Sequence, residues 1–453
     1  MCIQRWKLPE RSRQNNSLTG GNMTKKEFKA AMLRGLGRCV SAVQMNPEKY
    51  RDIVLWACKK DFAYDAQSEA TRSWYVYAMA CAYPDKETFI DAAAEALRKY
   101  RSCCGWDLLH LSEILMFFAS DGYGSAGQAL EAKYQEVLAA MFARKRRPSR
   151  VFHEISDLEQ LGLVLTIDLA SFLRVAKDFG KLYRERSYME DGDFAWFFAS
   201  KGERYRKTLE QVAEKDEDIA CFLRREQAFI EKMEKNREQR KSLPPKELGG
   251  VELSRWLAKK ADQETVMQHV HAYLEQSQPE LRAQALEAFR CCPYPDDPLP
   301  ILDDTRSDCE KLRDVALTVL ENVRHPVVRS FALDQIANGI RSPENFALLV
   351  TNYKPEDGPL LEELLRDMIA AKDWDSVHSA GMDIFRTFYK GRGIPHPKHL
   401  LPLLYEYDPC SFCRESVIQY MSKHRMLTKK MLEECLFDSN EDIRRFAAKR
   451  LKK

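Results

Sequence analysis

The sequence predicts an all-α fold of antiparallel helical hairpins, and three observations carry that expectation. Apolar residues recur at helical spacing along most of the 453 residues. Glycine and proline number only 19 each and cluster in short breaks between the periodic segments. Val, Ile and Thr never form a sustained period-2 run, so no sheet is expected. A composition of 45% hydrophobic and 31% charged residues argues against disorder, collagen and a many-stranded sandwich.

Residues 1–23 are polar and aperiodic and read as a disordered tail or a mis-annotated leader, with Met23 as an alternative start. Helix signals begin at Thr24-Lys25-Lys26-Glu27, a capping-box pattern. Residues 24–235 then read as amphipathic helices forming a helical-hairpin domain. The expected breaks are Asn46-Pro47, Tyr83-Pro84-Asp85, Ser102 to Gly105, Asp121 to Gly124 and Arg147-Pro148-Ser149. Ser156-x-x-Glu159 reads as a second capping box leading into Leu161. A charged helix ending near Lys235, followed by Pro244-Pro245 and Gly249-Gly250, marks residues 236–250 as a linker.

Residues 251–453 carry a recurrent register. Five segments place an Arg before a small or β-branched residue three positions on and a large apolar residue seven on. They are Arg282/Ala285/Leu286/Phe289, Arg313/Ala316/Leu317/Leu320, Arg329/Ala332/Leu333/Ile336, Arg414/Val417/Ile418/Met421 and Arg444/Ala447/Ala448/Leu451. Each gives one buried helical stripe, with a small residue where a neighbouring helix approaches. Proline precedes three of them in first-turn positions, at Pro279, Pro326 and Pro409. This pattern resembles the HEAT repeat, whose second helix opens Asp-x-x-x-hydrophobic-Arg-x-x-Ala. His325 to Ile336 and Asp438 to Leu451 are the nearest matches. The resemblance implies an α-solenoid of stacked antiparallel hairpins with irregular HEAT-like (armadillo-like) repeats. It also implies that each register Arg pairs with an acidic side chain or carbonyl of a neighbouring repeat. The spacing is uneven: Arg313 and Arg329 are 16 residues apart, and the motif lapses between Arg329 and Arg414.

Chemistry is sparse. The charge of +3, from 71 basic and 68 acidic residues, implies no whole-molecule attraction to nucleic acid or anionic lipid. Neither a secretory signal nor an apolar run long enough to span a bilayer is found, so no membrane partner and a cytoplasmic location are expected. The 13 cysteines lack a disulfide-framework spacing and fall mostly in apolar helical stretches. His396-x-x-His399 and Cys410-x-x-Cys413 have ligand-like spacing. A hairpin would hold the two pairs roughly 16 Å apart at ~1.5 Å per residue, so no metal and no other cofactor is expected. The densest basic run, Arg144, Lys145, Arg146, Arg147 and Arg150, is a candidate anion or nucleic-acid contact. Phosphate loops, zinc-protease motifs, nucleophile elbows and dinucleotide fingerprints are not found. Asp373, Trp374 and Asp375 bear a superficial likeness to the lesion-binding residues of HEAT-like DNA glycosylases, without a motif match. Trp56, Trp74, Trp106, Trp196 and Trp256 read as core. The expectation is a non-catalytic scaffold that binds a protein or peptide on the solenoid surface. The alternative is a nucleic-acid-binding solenoid, with a glycosylase-like or other enzyme third.

Overall fold

The computed structural model describes residues 23–101, 105–143, 151–166, 168–186, 203–242, 248–389 and 397–452. The chain is 77% helical and, among the described residues, contains no strand, so it is all-α. No helix among them is long and apolar enough to cross a membrane. Contacts divide the chain into two compact units. The first comprises Met1–Glu238 with Leu427–Lys453, and the second Gln239–Met426.

The first unit opens with α1 (Lys25–Leu33), α2 (Arg38–Met45), α3 (Pro47–Ala57), α4 (Ser73–Ala80) and α5 (Glu87–Lys99). It continues through α6 (Gly105–Ser120), α7 (Gly124–Ala143), α8 (Val151–Leu165) and α9 (Leu169–Glu185) to α10 (Glu203–Ala213) and α11 (Glu217–Ser242). Thr24 caps α1 as expected: its hydroxyl accepts from the Glu27 amide, while the Glu27 carboxylate accepts from the Thr24 amide. Pro47 sits in the first turn of α3, and Gly122 takes a positive φ of 96° between α6 and α7. Ser156 does not start a helix. It lies inside α8, where upstream residues from Val151 already propagate the helix and where Asp157 turns inward to accept from the Tyr100 hydroxyl at 3.3 Å. One core runs through the unit, from Phe28, stacked on Tyr50 with ring centroids 4.1 Å apart, to Phe222.

Residues 427–452 join this unit, whereas periodicity groups them with the preceding repeats. Their segment, with helices Lys429–Cys435 and Glu441–Leu451, meets the turn after α1 and the start of α2. The Arg38 guanidinium meets Glu434 at 2.8 Å, and the Ser439 amide donates to the Gly35 carbonyl at 2.9 Å. Gly37 makes that approach possible: a Cβ there would stand 1.9 Å from the Glu434 carbonyl oxygen. Contacts separated by 396 residues leave no trace in a repeat pattern.

The second unit contains α12 (Gly250–Lys260), α13 (Gln263–Leu274), α14 (Pro279–Leu286), α15 (Glu310–Leu320), α16 (Pro326–Ala337) and α17 (Pro343–Thr351). After these come α18 (Gly358–Ala371), α19 (Trp374–Ile384), α20 (Leu401–Tyr407) and α21 (Ser411–Lys423). The helices α14, α15, α17, α19 and α21 pack in succession, each on the next. The helices α16, α18 and α20 pack on the member that follows them in the chain. Arg282, Arg313 and Arg414 are each the fourth residue of a helix in this row; the fourth residues of α17 and α19 are Phe346 and Val377. The register therefore continues through the apparent gap with apolar residues where Arg stood. Arg329 lies in α16, outside the row, which accounts for the 16-residue interval.

Candidate functional site

The register arginines are engaged with polar groups of the fold. Arg282 Nε meets Asp304 at 2.7 Å while its guanidinium lies 4.2 Å from the centroid of the Tyr273 ring. Arg313 donates to the Ser307 and Asp308 carbonyls at 2.7 and 3.2 Å. Arg329 pairs with Asp357 at 2.5 Å and Glu356 at 3.4 Å. Arg444 donates to the carbonyls of Asp438 and Ser439 and stacks 3.6 Å over Trp74; burial pulls its guanidinium down to about 10. Arg414 is fully buried beside Asp408, whose carboxylate it helps to hold charged. The basic run Arg144, Lys145, Arg146, Arg147 and Arg150 lies outside the described residues, as do Trp196 and His396.

Asp373 is a helix cap, accepting from the Ser376 amide at 3.1 Å and hydroxyl at 2.6 Å, with its carboxyl held below the usual range by those bonds. Trp74 is buried and Trp56 and Trp256 are partly buried, but Trp106 is 39% exposed. The helix that carries Trp106, α6, is apolar on nearly every side, so spacing did not identify which face meets solvent.

The constellation that the sequence reading missed is on α19 and at the start of α21. Among the described residues, His378, Cys410 and Cys413 bring a ligating atom each to within 4.8 Å of one another. Cys410 is the N-cap residue of α21 and Cys413 lies in its first turn; both thiols are buried. Asp408, fully buried, accepts from the Cys410 amide at 2.9 Å, and its Oδ1 stands 3.6 Å from His378 Nδ1. Burial raises the Asp408 carboxyl, opposed by His378, the Cys410 amide and Arg414. Its Oδ2 is buried with no hydrogen-bond donor among the described residues. Gly381 leaves the room this oxygen occupies, since a Cβ there would lie 2.8 Å from it. The Met382 thioether, one turn along from His378, is 3.5 Å from the Cys413 sulfur. Met382 and Phe412 are 51% and 53% exposed, so the cluster lies close under the surface.

His399 takes a different position, with Nε2 3.1 Å from the Gly358 carbonyl oxygen. The expected separation of His399 from the cysteine pair does not preclude a cluster, because the histidine that joins the thiols is His378. The packed row supplies the register that the sequence lacks there, since Val377 stands where the register Arg would be. With Val377 aligned to Arg414, His378 and Cys413 fall one position to either side of the same row position on successive packed helices.

A second feature of this unit is a cavity of about 550 Å³ lined by Cys291, Tyr294, Glu321, His325, Arg386 and others. Arg386 bridges Glu321 at 3.2 Å and Asp383 at 2.9 Å. Burial pushes the Asp383 carboxyl up to about 7 and raises Glu321 as well, in both cases against the pull of Arg386.

No family model matches this chain, and neither a curated protein nor a solved structure matches it.

Proposed function

We propose that the chain is a non-catalytic, HEAT-like α-solenoid that binds a protein or peptide partner along the surface of its stacked hairpins. The observation that supports this reading is the packing order of the second unit. Helices α14, α15, α17, α19 and α21 follow one another in a row while α16, α18 and α20 flank it, as in proteins built from stacked helix pairs. Such stacking spends the apolar stripe of each helix on its neighbours and leaves a long surface for recognition. Large apolar side chains remain on that surface, including Leu281, Leu299, Ile340, Met382 and Phe412. A cytoplasmic setting suits the cysteines, all of them free thiols among the described residues.

The test is affinity purification of the full chain from its native cells, followed by binding measurements with the purified partner. One stoichiometric partner, released by Met382→Glu with Phe412→Glu but not by Lys429→Glu, supports the reading. A chain that captures no stoichiometric partner, or one whose partner ignores the apolar surface of the second unit, removes it.

A further inference from the structure

The geometry points to a site for a thiophilic d10 cation, Zn²⁺ or Cu⁺, held by Cys410, Cys413 and His378. Two thiols and an imidazole form a soft donor set of the kind that selects these ions; Mg²⁺ and Ca²⁺ require oxygen donors. The three ligating atoms already lie within 4.8 Å of one another. A tetrahedral ion with metal–ligand distances of about 2.0–2.3 Å draws its donors to roughly 3.5–3.8 Å apart. The remaining contraction is about 1 Å, within the reach of side-chain rotation. The His378 side chain is 25% exposed, which leaves it room to turn.

Asp408 is an independent indication. Its carboxylate sits 3.6 Å from His378 Nδ1, fully buried, with Oδ2 given no donor by the described residues. A buried carboxylate is costly unless a positive charge lies near it; Arg414 supplies that charge, but no donor among the described residues reaches Oδ2, which faces Gly381. A carboxylate beside a ligating imidazole orients the ring and raises its basicity in known metal sites. On binding, each thiol releases its proton to solvent; Zn²⁺ with two thiolates is then neutral, which leaves Asp408 balanced by Arg414, whereas Cu⁺ leaves one negative charge over.

Met382 distinguishes the two ions. Its thioether, 3.5 Å from the Cys413 sulfur, is a ligand that Cu⁺ accepts and Zn²⁺ seldom does. With Cu⁺ the site closes as two thiolates, imidazole and thioether. With Zn²⁺ it keeps three protein ligands and a fourth position open toward the surface between Met382 and Phe412, which are 51% and 53% exposed.

The test uses the full chain, reduced and stripped of metal, titrated with Zn²⁺ and, anaerobically, with Cu⁺ against chromophoric chelators. Co²⁺ serves as a spectroscopic probe of thiolate coordination. One equivalent of either ion is expected, with a sulfur-to-cobalt charge-transfer band. Cys410→Ser, Cys413→Ser and His378→Ala should each weaken binding at least ~100-fold, and Asp408→Asn ~10–100-fold. Cys291→Ser should have no effect. Weaker Cu⁺ binding by Met382→Leu assigns copper; Cu⁺ binding unchanged by Met382→Leu, with Zn²⁺ bound stoichiometrically, assigns zinc. The proposal is overturned by the lack of stoichiometric binding of both ions. It is equally overturned if the folded His378→Ala protein, its partly exposed substitution site checked by circular dichroism, binds metal as the parent does.

Discussion

Each unit sets a histidine beside an aspartate, but His110 of the first unit is fully buried whereas the His378 side chain of the second is 25% exposed. In the first unit His110 Nε2 donates to the Ala57 carbonyl at 2.9 Å and Nδ1 stands 3.4 Å from Asp61. Burial lowers its affinity for a proton, against the opposing pull of Asp61. Around it the loop between α3 and α4 is bound on every side. Asp61 accepts from the Arg72 amide, Glu113 accepts from Ser73 and Thr71, and Arg72 pairs with Glu69 at 3.1 Å while donating to the Met32 and Leu33 carbonyls. In the second unit His378 and Asp408 face two thiols and a half-exposed thioether. A network in which Asp61, Glu69 and Glu113 each accept hydrogen bonds fixes a loop; a network with a carboxylate oxygen left over and soft donors at its edge is suited to take up a ligand.

If that contrast is right, substitutions in the first network cost stability and those in the second cost binding. The largest effect is expected for Arg72→Ala. The Arg72 and Glu69 side chains are 2% and 0% exposed, and leaving the buried Glu69 carboxylate with the Asp65 amide but without its counter-charge should cost about 3–5 kcal/mol in urea unfolding. A loss below about 1 kcal/mol would show that the network is not the clamp described.

Protonation gives the next effect, and it belongs to the second unit. Asp383 holds its proton up to about pH 7 in the folded chain, whereas an ordinary aspartate releases it near 3.8. The folded state therefore binds more protons across that window, and stability falls as pH rises from about 4 through 7. Asp383→Asn should remove about 1–3 kcal/mol of this dependence between pH 5 and 8, read from unfolding midpoints at the two pH values. An unchanged slope would assign the pH dependence elsewhere.

Two glycines sharpen the comparison. Gly37→Ala drives a Cβ into the Glu434 backbone and should cost ~1–3 kcal/mol, with earlier proteolysis of residues 427–452. Gly381→Ala meets a side-chain oxygen of Asp408 at 2.8 Å rather than backbone at 1.9 Å, and should cost less than Gly37→Ala. The smallest effect concerns backbone strain. Ala70 sits at φ 61°, ψ 178°, a region that favours glycine, whereas Lys372 at φ 58°, ψ 31° occupies an ordinary left-handed helix cap. Ala70→Gly should stabilise by ~1 kcal/mol and Lys372→Gly by less, measured by thermal unfolding. Equal gains would show that the first network holds no strained residue.

Local features were legible and distant ones were not. Thr24 and Glu27 close a capping box, the breaks at Pro47 and Gly122 separate helices, and Leu361, Leu364 and Leu365 form a buried stripe of α18. These depend on residues within a turn or two of one another. Ser156 failed because the same four-residue pattern also fits the middle of a helix that began earlier. The metal-ligand pairing failed for a related reason. Looking for partners on the adjacent helix of a hairpin passed over His378, which lies in the preceding helix of the same row. Aligning the register through Phe346 and Val377, where the Arg is missing, requires knowing which helices share a row.

The position of residues 427–452 against the turn after α1 and the start of α2 bears on the order of events during synthesis. At ~5–20 residues per second, α2 emerges roughly 20–80 s before its partner Glu434 has been made. Through that interval the α1–α2 surface must stay exposed or be covered by another molecule. Loop closure over so many residues also puts this docking among the slowest steps available to the chain. A late pause in translation would then lengthen the lifetime of an aggregation-prone intermediate, although no residue of the finished fold had changed.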